Sequence, residues 1–177
     1  MKIYITISLL ASIIFTSCSK HIEEEVIVPS PPTDLLTTIS SNWELYMYVI
    51  ATDKGYYYFT GSSLANHSLY KLSFDRTGGY HASNALWSGT YRFLGDSTRF
   101  ILEPTARDQV DCILYIDNIS NKKMQISSPW VEVNPEKTGA SDYERFIAYQ
   151  AFTYLSVQQI DVSNIKSVKL QLRYVVK

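Results

Sequence analysis

Residues 167–177, which read SVKLQLRYVVK, decide the fold class of this chain. Apolar side chains stand at every second position from Val168 to Val176, and polar ones stand between them at positions 169, 171 and 173. A period of two places successive side chains on opposite faces of an extended chain. The segment is therefore predicted to be a β strand with one buried face and one face in water.

The same period recurs upstream in short runs that are bounded by turn residues. One such turn, residues 75–79, reads DRTGG, and its glycines tolerate the positive φ of tight hairpins. The runs predicted as strands are 43–50, 56–60, 69–74, 80–82, 87–94, 99–103, 111–116 and 124–127, followed by the last strand. The prediction is an all-β fold, an antiparallel meander that closes into a barrel of about eight strands, because closure removes unpaired edges.

One segment, residues 141–155, fits two interpretations. Ser141 and Glu144 have the spacing of a helix capping box, and apolar positions 143, 146, 147, 151 and 154 fall at helical intervals. Positions 146, 148, 152 and 154 also share the parity of a strand, and aromatic side chains fit pleated surfaces. We expect a strand and keep one short helix as the alternative.

Composition indicates a folded domain with a near-neutral surface. The 177 residues are 46% hydrophobic and 19% charged, with 16 Lys and Arg against 17 Asp and Glu. Nucleic acid is not an expected partner, because phosphate binding needs a concentrated positive surface.

The first 17 residues are predicted to be a signal peptide. Lys2 precedes an apolar run, 3–15, which as a helix would cover about 20 Å, less than the ~30 Å of a bilayer core. The next residues, Phe15-Thr16-Ser17-Cys18, resemble the lipobox of bacterial lipoproteins. The resemblance implies cleavage before Cys18 and acylation of that residue with fatty acids such as palmitate.

The polar, proline-containing segment 18–38 is predicted to be a flexible tether behind the lipidated cysteine. Its acidic cluster, Glu23–Glu25, is similar to the surface-export signal of Bacteroidota-type lipoproteins, although these glutamates could equally serve only to keep the tether in solution. We expect an outer membrane lipoprotein of the cell envelope whose membrane contact is the lipid on Cys18.

The second cysteine, Cys112, is predicted to be a core side chain. With Cys18 acylated it has no disulfide partner, and alternation places it on one strand face with Leu114 and Ile116.

Four short motifs resemble the pattern of lipocalin-like domains in Bacteroidota-type lipoproteins. They are NWEL at 42–45, LSFD at 72–75, GTY at 89–91 and LGD at 94–96, and they lie within residues 42–127. The chain departs from that pattern at Ser41, where the family usually has glycine. The resemblance implies that residues 39–177 form a lipocalin-like barrel and that Trp43 closes one end of it.

The leading functional hypothesis is non-enzymatic binding of a small apolar or amphipathic ligand in the barrel interior. The side chains predicted to line it are Trp43, Leu45, Met47, Trp87, Tyr91 and Phe93.

The alternative is a surface module that contacts a glycan or a protein partner through an exposed tyrosine strip. Tyr46 and Tyr48 oppose the predicted interior face and Tyr57 crowds the same hairpin, and aromatics are enriched at recognition surfaces. A fold in which both faces of this hairpin are covered also fits the pattern.

No motif indicates catalysis. The chain has no HExxH or cysteine cluster, no GxSxG elbow and no glycine-rich phosphate loop. We therefore expect no catalytic residues, no metal site, no cofactor and no enzymatic activity.

Overall fold

The computed structural model describes residues 33–95, 97–133 and 140–177. Within these ranges the chain forms two α helices and ten β strands. In chain order they are α1 (Thr33–Ile39), β1 (Asn42–Thr52), β2 (Gly55–Thr60), β3 (Lys71–Phe74), β4 (Gly79–Ala82), β5 (Gly89–Leu94), β6 (Arg99–Pro104), β7 (Cys112–Ile119), β8 (Lys123–Ser127), β9 (Val131–Glu132), α2 (Asp142–Val157) and β10 (Ser167–Val176).

The strands form one antiparallel sheet that closes on itself. β1 pairs with β10 from Trp43–Val176 to Thr52–Val168, which joins the last strand to the first. On its other side β1 pairs first with β3 and then with β2, and β10 likewise pairs with β8 and then with β9. β3 and β2 together occupy one strand position beside β1, and β8 and β9 together occupy one strand position beside β10. The ten strands therefore form a closed barrel with eight strand positions. The predicted all-β antiparallel barrel is confirmed.

A β-bulge in β1 reverses which of its side chains point into the barrel. The pairing with β10 shifts between Leu45 and Met47, which leaves Tyr46 as an extra residue. Leu45 joins the core before the bulge, and Tyr48 joins it afterwards. One inserted residue changes the parity of every later position in the strand.

Two predictions for β1 are therefore wrong. Met47, predicted to line the interior, is half-buried on the outer face opposite Arg173, whose guanidinium contacts its sulfur at 3.6 Å. Tyr48, predicted to lie on the surface, is fully buried. Neither position could be assigned from an unbroken alternation, because the bulge lies between them and Trp43.

The tyrosines of β2 divide between the two faces of the sheet. Tyr56 and Tyr58 are each 60% exposed, and they pair with Ala51 and Val49 on the outer face. Tyr57, predicted to be a surface contact, is half-buried and packs against the core. Strand parity places Tyr57 on the opposite face of the sheet from Tyr56 and Tyr58, so these two neighbours form the exposed pair.

One end of the barrel is closed by α1. Ile39 and Trp43 are buried there, and the Trp43 indole N–H donates to the Ile39 carbonyl oxygen at 2.8 Å. Leu35 and Leu36 pack against the same core. Residues 33–38, which the sequence analysis assigned to the tether, are thus part of a helix whose apolar side chains have a core to cover. The predicted leader, residues 1–17, and Cys18 lie outside the described residues.

The opposite end is covered by α2, and the expectation of a strand over residues 141–155 is wrong. The helix begins with a complete capping box, in which the Ser141 hydroxyl accepts from the Glu144 N–H at 3.2 Å and the Glu144 carboxylate accepts from the Ser141 N–H at 2.8 Å. Ile147, Ala151 and Leu155 are buried, so helical and not alternate spacing selects the inner face. The shared parity of the aromatics was coincidental.

Candidate binding site

The mouth of the barrel lies beneath α2. Because neighbouring strands run in opposite directions, the start of β7 and the end of β8 meet at the same end of the barrel as the turn that precedes β5. The Tyr143 hydroxyl at the start of α2 donates to the Ile113 carbonyl oxygen in β7, which fixes the helix to this rim. Trp87 at the rim packs against Phe146 of the helix, with ring centroids 5.0 Å apart.

A cavity of about 40 Å³, partly open to solvent, lies between α2 and the strands. Its lining is mostly apolar and includes Leu69, Trp87, Leu114, Phe146, Leu170 and Leu172. The polar lining groups include His67, Ser128 and Gln150. No lining residue carries a charge at neutral pH. A volume of this size holds roughly three waters, so any larger ligand requires a side chain of α2 or the helix itself to move.

An aromatic cluster fills the mouth beside the cavity. Tyr154 of α2 packs edge-on against Tyr48 and Phe59, with centroid distances of 4.8 and 5.3 Å. The His67 ring lies 4.9 Å from Tyr48 and 5.9 Å from Tyr154. Burial raises the pKa of both tyrosines, so their hydroxyls remain neutral.

His67 joins this cluster to the cavity. Its Nδ1 accepts a hydrogen bond from the Leu69 N–H at 3.1 Å, which fixes the neutral tautomer that carries its proton on Nε2. Burial lowers the His67 pKa to about 4. A proton on Nδ1 would displace the Leu69 hydrogen bond and place a charge among aromatic rings. The folded protein therefore favours neutral imidazole at this position.

Cys112 also faces the cavity and has the properties of a core residue. It is 3% exposed, and burial raises its pKa to about 12. A thiol with such a pKa is a poor nucleophile at neutral pH. Its predicted core position is confirmed. Within the described ranges no three His, Cys, Asp or Glu side chains come close enough together to hold a metal ion.

The residues predicted to line the interior do not share one site. Trp87 is the member of the predicted set that borders the cavity. Leu45, Tyr91 and Phe93 are buried within the filled core, while Trp43 occupies the α1 end. The Tyr91 hydroxyl donates to the Asp75 carbonyl oxygen at 2.7 Å, which is a structural bond away from the mouth.

Sequence reasoning missed most of the lining. Tyr143, Phe146, Ile147 and Gln150 reach the cavity from one face of α2, and their helical spacing was the available signal. His67 stands in a loop between β2 and β3, where no sequence pattern distinguishes a buried imidazole from a solvated one.

A second candidate site is the outer face of β2, β1 and β10, which we call the tyrosine platform. It consists of Tyr46, Tyr56 and Tyr58, which are 38%, 60% and 60% exposed, together with Met47 and Arg173. Of the predicted surface residues, Tyr46 lies in the platform, and Tyr48 and Tyr57 do not.

Comparisons with known proteins do not assign this barrel to a family. No family model matches the chain, and neither curated proteins nor solved structures give a match. No helix in the described parts of the chain is both long and apolar enough to cross a bilayer.

Proposed function

We propose that this chain is a non-enzymatic binding protein, a lipocalin-like barrel that takes a small neutral ligand beneath α2. The observation that carries the proposal is the small, mostly apolar cavity between α2 and the strands. Ligand sites typically combine apolar walls with a few polar groups that fix orientation. Here the walls include Trp87, Leu114 and Phe146, and the polar groups include His67 and Gln150.

The lining restricts the chemistry of the ligand. A carboxylate in this cavity would be desolvated without a cation to pair with, which is costly. The neutral His67 Nε2–H can donate to a ligand oxygen, and the Gln150 amide can donate and accept. An uncharged molecule with one hydrogen-bonding oxygen therefore fits better than a fatty acid.

Phe146 controls the size of the site. Its ring stacks on Trp87 at the cavity wall, so a ligand larger than a few waters takes its place or moves α2. The helix is held mainly by apolar contacts and by its hydrogen bond at Ile113, and these can separate without breaking the sheet.

The anchoring part of the proposal concerns Cys18. We infer that Cys18 carries lipid and holds the protein on the outer membrane. The chain enters the barrel through α1, at the end opposite α2. Such an anchor would direct the mouth away from the tether and leave it accessible to ligand.

The binding proposal is tested with 1-hexanol and hexanoate, two probes of equal chain length that differ in charge. We expect hexanol to bind Phe146→Ala at least tenfold more tightly than wild type, as measured by calorimetry at pH 7, and hexanoate to bind neither. The control is Leu102→Ala, which removes a fully buried side chain outside the cavity lining. Phe146→Leu retains more of the packing if the alanine variant unfolds.

Two results would contradict the proposal. Equal hexanol affinity in Phe146→Ala and Leu102→Ala would place binding elsewhere, and preferred binding of hexanoate would reject a neutral ligand. Wild-type protein purified gently from its host should also release an uncharged apolar molecule on solvent extraction, detected by mass spectrometry.

The anchor is tested separately by metabolic labelling with an alkyne analogue of palmitate. Wild type should incorporate the label and sediment with membranes, whereas Cys18→Ser should do neither. Labelling of Cys18→Ser, or of Cys112 in its place, would refute the assignment.

The tyrosine platform supports a second function, surface contact with a glycan or a protein. Tyr56 and Tyr58 project side by side from one strand face and bury only part of their area. Their replacement by serine should abolish such contact and change the melting temperature little, because little packing is lost.

A further inference from the structure

We propose that the tyrosine platform binds a carboxylate-bearing polysaccharide, with Tyr56 and Tyr58 stacked on sugar rings and Arg173 paired with a sugar carboxylate. This inference rests on the second proposed function, surface contact through the platform.

The aromatic part of the platform lies beside small side chains of the neighbouring strand. Tyr56 lies opposite Ala51, and Tyr58 lies opposite Val49, on neighbouring strands about 4.8 Å apart. Two positions along one strand separate the rings by about 7 Å. Ala51 and Val49 are short and buried, while Tyr56 and Tyr58 beside them are each 60% exposed. Aromatic faces of this kind provide apolar area with a polar hydroxyl at the edge.

Arg173 is a cation on the outer face of β10. Its Nη1 contacts the Met47 sulfur at 3.6 Å, and its Nε is buried with no hydrogen-bond partner. It forms no ion pair with any residue in the described ranges. The acids near it in the sheet register already have partners. Glu44 on β1 pairs with Lys177 at 3.0 Å, and Asp117 on β7 accepts hydrogen bonds from Gln125 at 3.1 Å and Ser127 at 2.9 Å. The two Nη groups therefore retain N–H donors for an external acceptor, whereas the buried Nε does not reach one.

The charge of the platform favours an anionic partner. Lys169 lies on the same outer face of β10, is half-buried, and forms no ion pair with a described residue. Gln171 stands between these two cations and makes no side-chain hydrogen bond with the described residues. A guanidinium binds a carboxylate through two parallel N–H donors, and a neighbouring amide can bond sugar hydroxyls.

The size of the platform favours a glycan over a folded protein. Three strands and three rows of side chains cover about 300 Å² when side-chain width is included. A stable protein interface needs about 800 Å² from each partner. A few sugar units crossing β2, β1 and β10 would occupy the smaller area.

The test compares tetragalacturonate with its fully methyl-esterified form, which has the same rings without the charges. We expect calorimetric binding of the acid, at least tenfold weaker binding of the ester, and weakening of acid binding as salt is raised. Arg173→Gln and Tyr58→Ser should each lower the affinity for the acid at least tenfold. Arg173→Lys should lower it less than Arg173→Gln does, because lysine keeps the charge but lacks the two parallel N–H donors of a guanidinium. The matched control is Arg92→Gln, since Arg92 pairs with Glu103 on another part of the barrel.

The possible outcomes separate this inference from the function on which it rests. If acid and ester bind equally and Tyr58→Ser weakens both, the charge inference is overturned while surface contact stands. If a glutamate oligomer of equal charge binds as tightly as the sugar acid, the platform recognises charge alone and the glycan assignment is overturned. If none of the probes binds, the polysaccharide inference is overturned, while surface contact is judged by the serine variants of Tyr56 and Tyr58. Melting temperatures within a few degrees of wild type would show that the variants remain folded.

Discussion

The two ends of the barrel are closed in different ways. At the α1 end, the helix directly precedes β1, and Trp43 and Ile39 are buried with their polar contact satisfied at 2.8 Å. At the α2 end, the helix is separated from β9 and β10 by connecting segments and leaves a cavity with polar groups such as His67. A short connection and complete packing make the first end a fixed plug. The second end retains a small cavity, which is the space that the proposed ligand would use.

The largest expected effect is at the α1 end. Trp43→Ala should lower the free energy of unfolding by about 3–5 kcal/mol, because a large, fully buried side chain is removed and a cavity is left in its place. The measurement is denaturant unfolding followed by circular dichroism. Trp130→Ala is the matched control, since Trp130 is 53% exposed and its loss should change stability by less than about 0.5 kcal/mol. Similar losses in both variants would contradict the description of this end as a packed plug.

The second prediction concerns acid sensitivity at the α2 end. Burial lowers the His67 pKa from its ordinary value of 6.5 to about 4, so the unfolded chain binds this proton more readily than the folded protein does. The contribution to stability is complete above pH 6.5, is lost as the pH falls towards 4, and changes no further below that value. Since the ring keeps some exposed area, we expect a loss of about 2–3 kcal/mol.

His67→Gln tests this assignment. A glutamine oxygen can still accept from the Leu69 N–H, while the titrating group is gone. The difference in unfolding free energy between pH 6.5 and pH 4 should be about 2–3 kcal/mol smaller in the variant than in wild type. His81→Gln, which replaces an exposed histidine, should leave the difference unchanged. An identical pH profile for His67→Gln and wild type would show that another group is responsible.

The smallest expected effect concerns the start of α2. Ser141→Ala removes the capping hydroxyl and should lower stability by about 1 kcal/mol, measured by thermal unfolding. Ser156→Ala in the last turn of the same helix is the control, because that exposed serine makes no side-chain hydrogen bond with the described residues. A larger loss in the control than in Ser141→Ala would mean that α2 is not held by its cap.

Most of the sheet could be predicted from local sequence. The turn at residues 75–79 forms as expected, with the Asp75 carboxylate accepting from the Thr77 and Gly79 N–H groups at 2.7 and 2.9 Å. The last strand alternates as expected, and its apolar side chains at positions 168, 170, 172 and 174 are buried. These elements can be predicted from sequence because their signals lie within a few consecutive residues.

The candidate sites were less predictable. An extra residue at Tyr46 exchanges the faces of Met47 and Tyr48, and no local pattern marks where a bulge will form. Residues 141–155 carry both periods, and the choice of helix depends on the barrel mouth that α2 covers. The exposed pair Tyr56 and Tyr58 follows from the same register that buries part of Tyr57.

The sequence by itself determined that this chain builds an antiparallel barrel, because alternation and turn residues act over a few positions. It also determined that Cys112 belongs to the core. The tertiary structure decided which tyrosines face water, which residues line the cavity, and which side of the barrel carries Arg173, a cation with no ion pair among the described residues. Those features depend on strand register and on the docking of α2. Both bring together residues that are far apart in the chain, so no periodic pattern in the sequence predicts them.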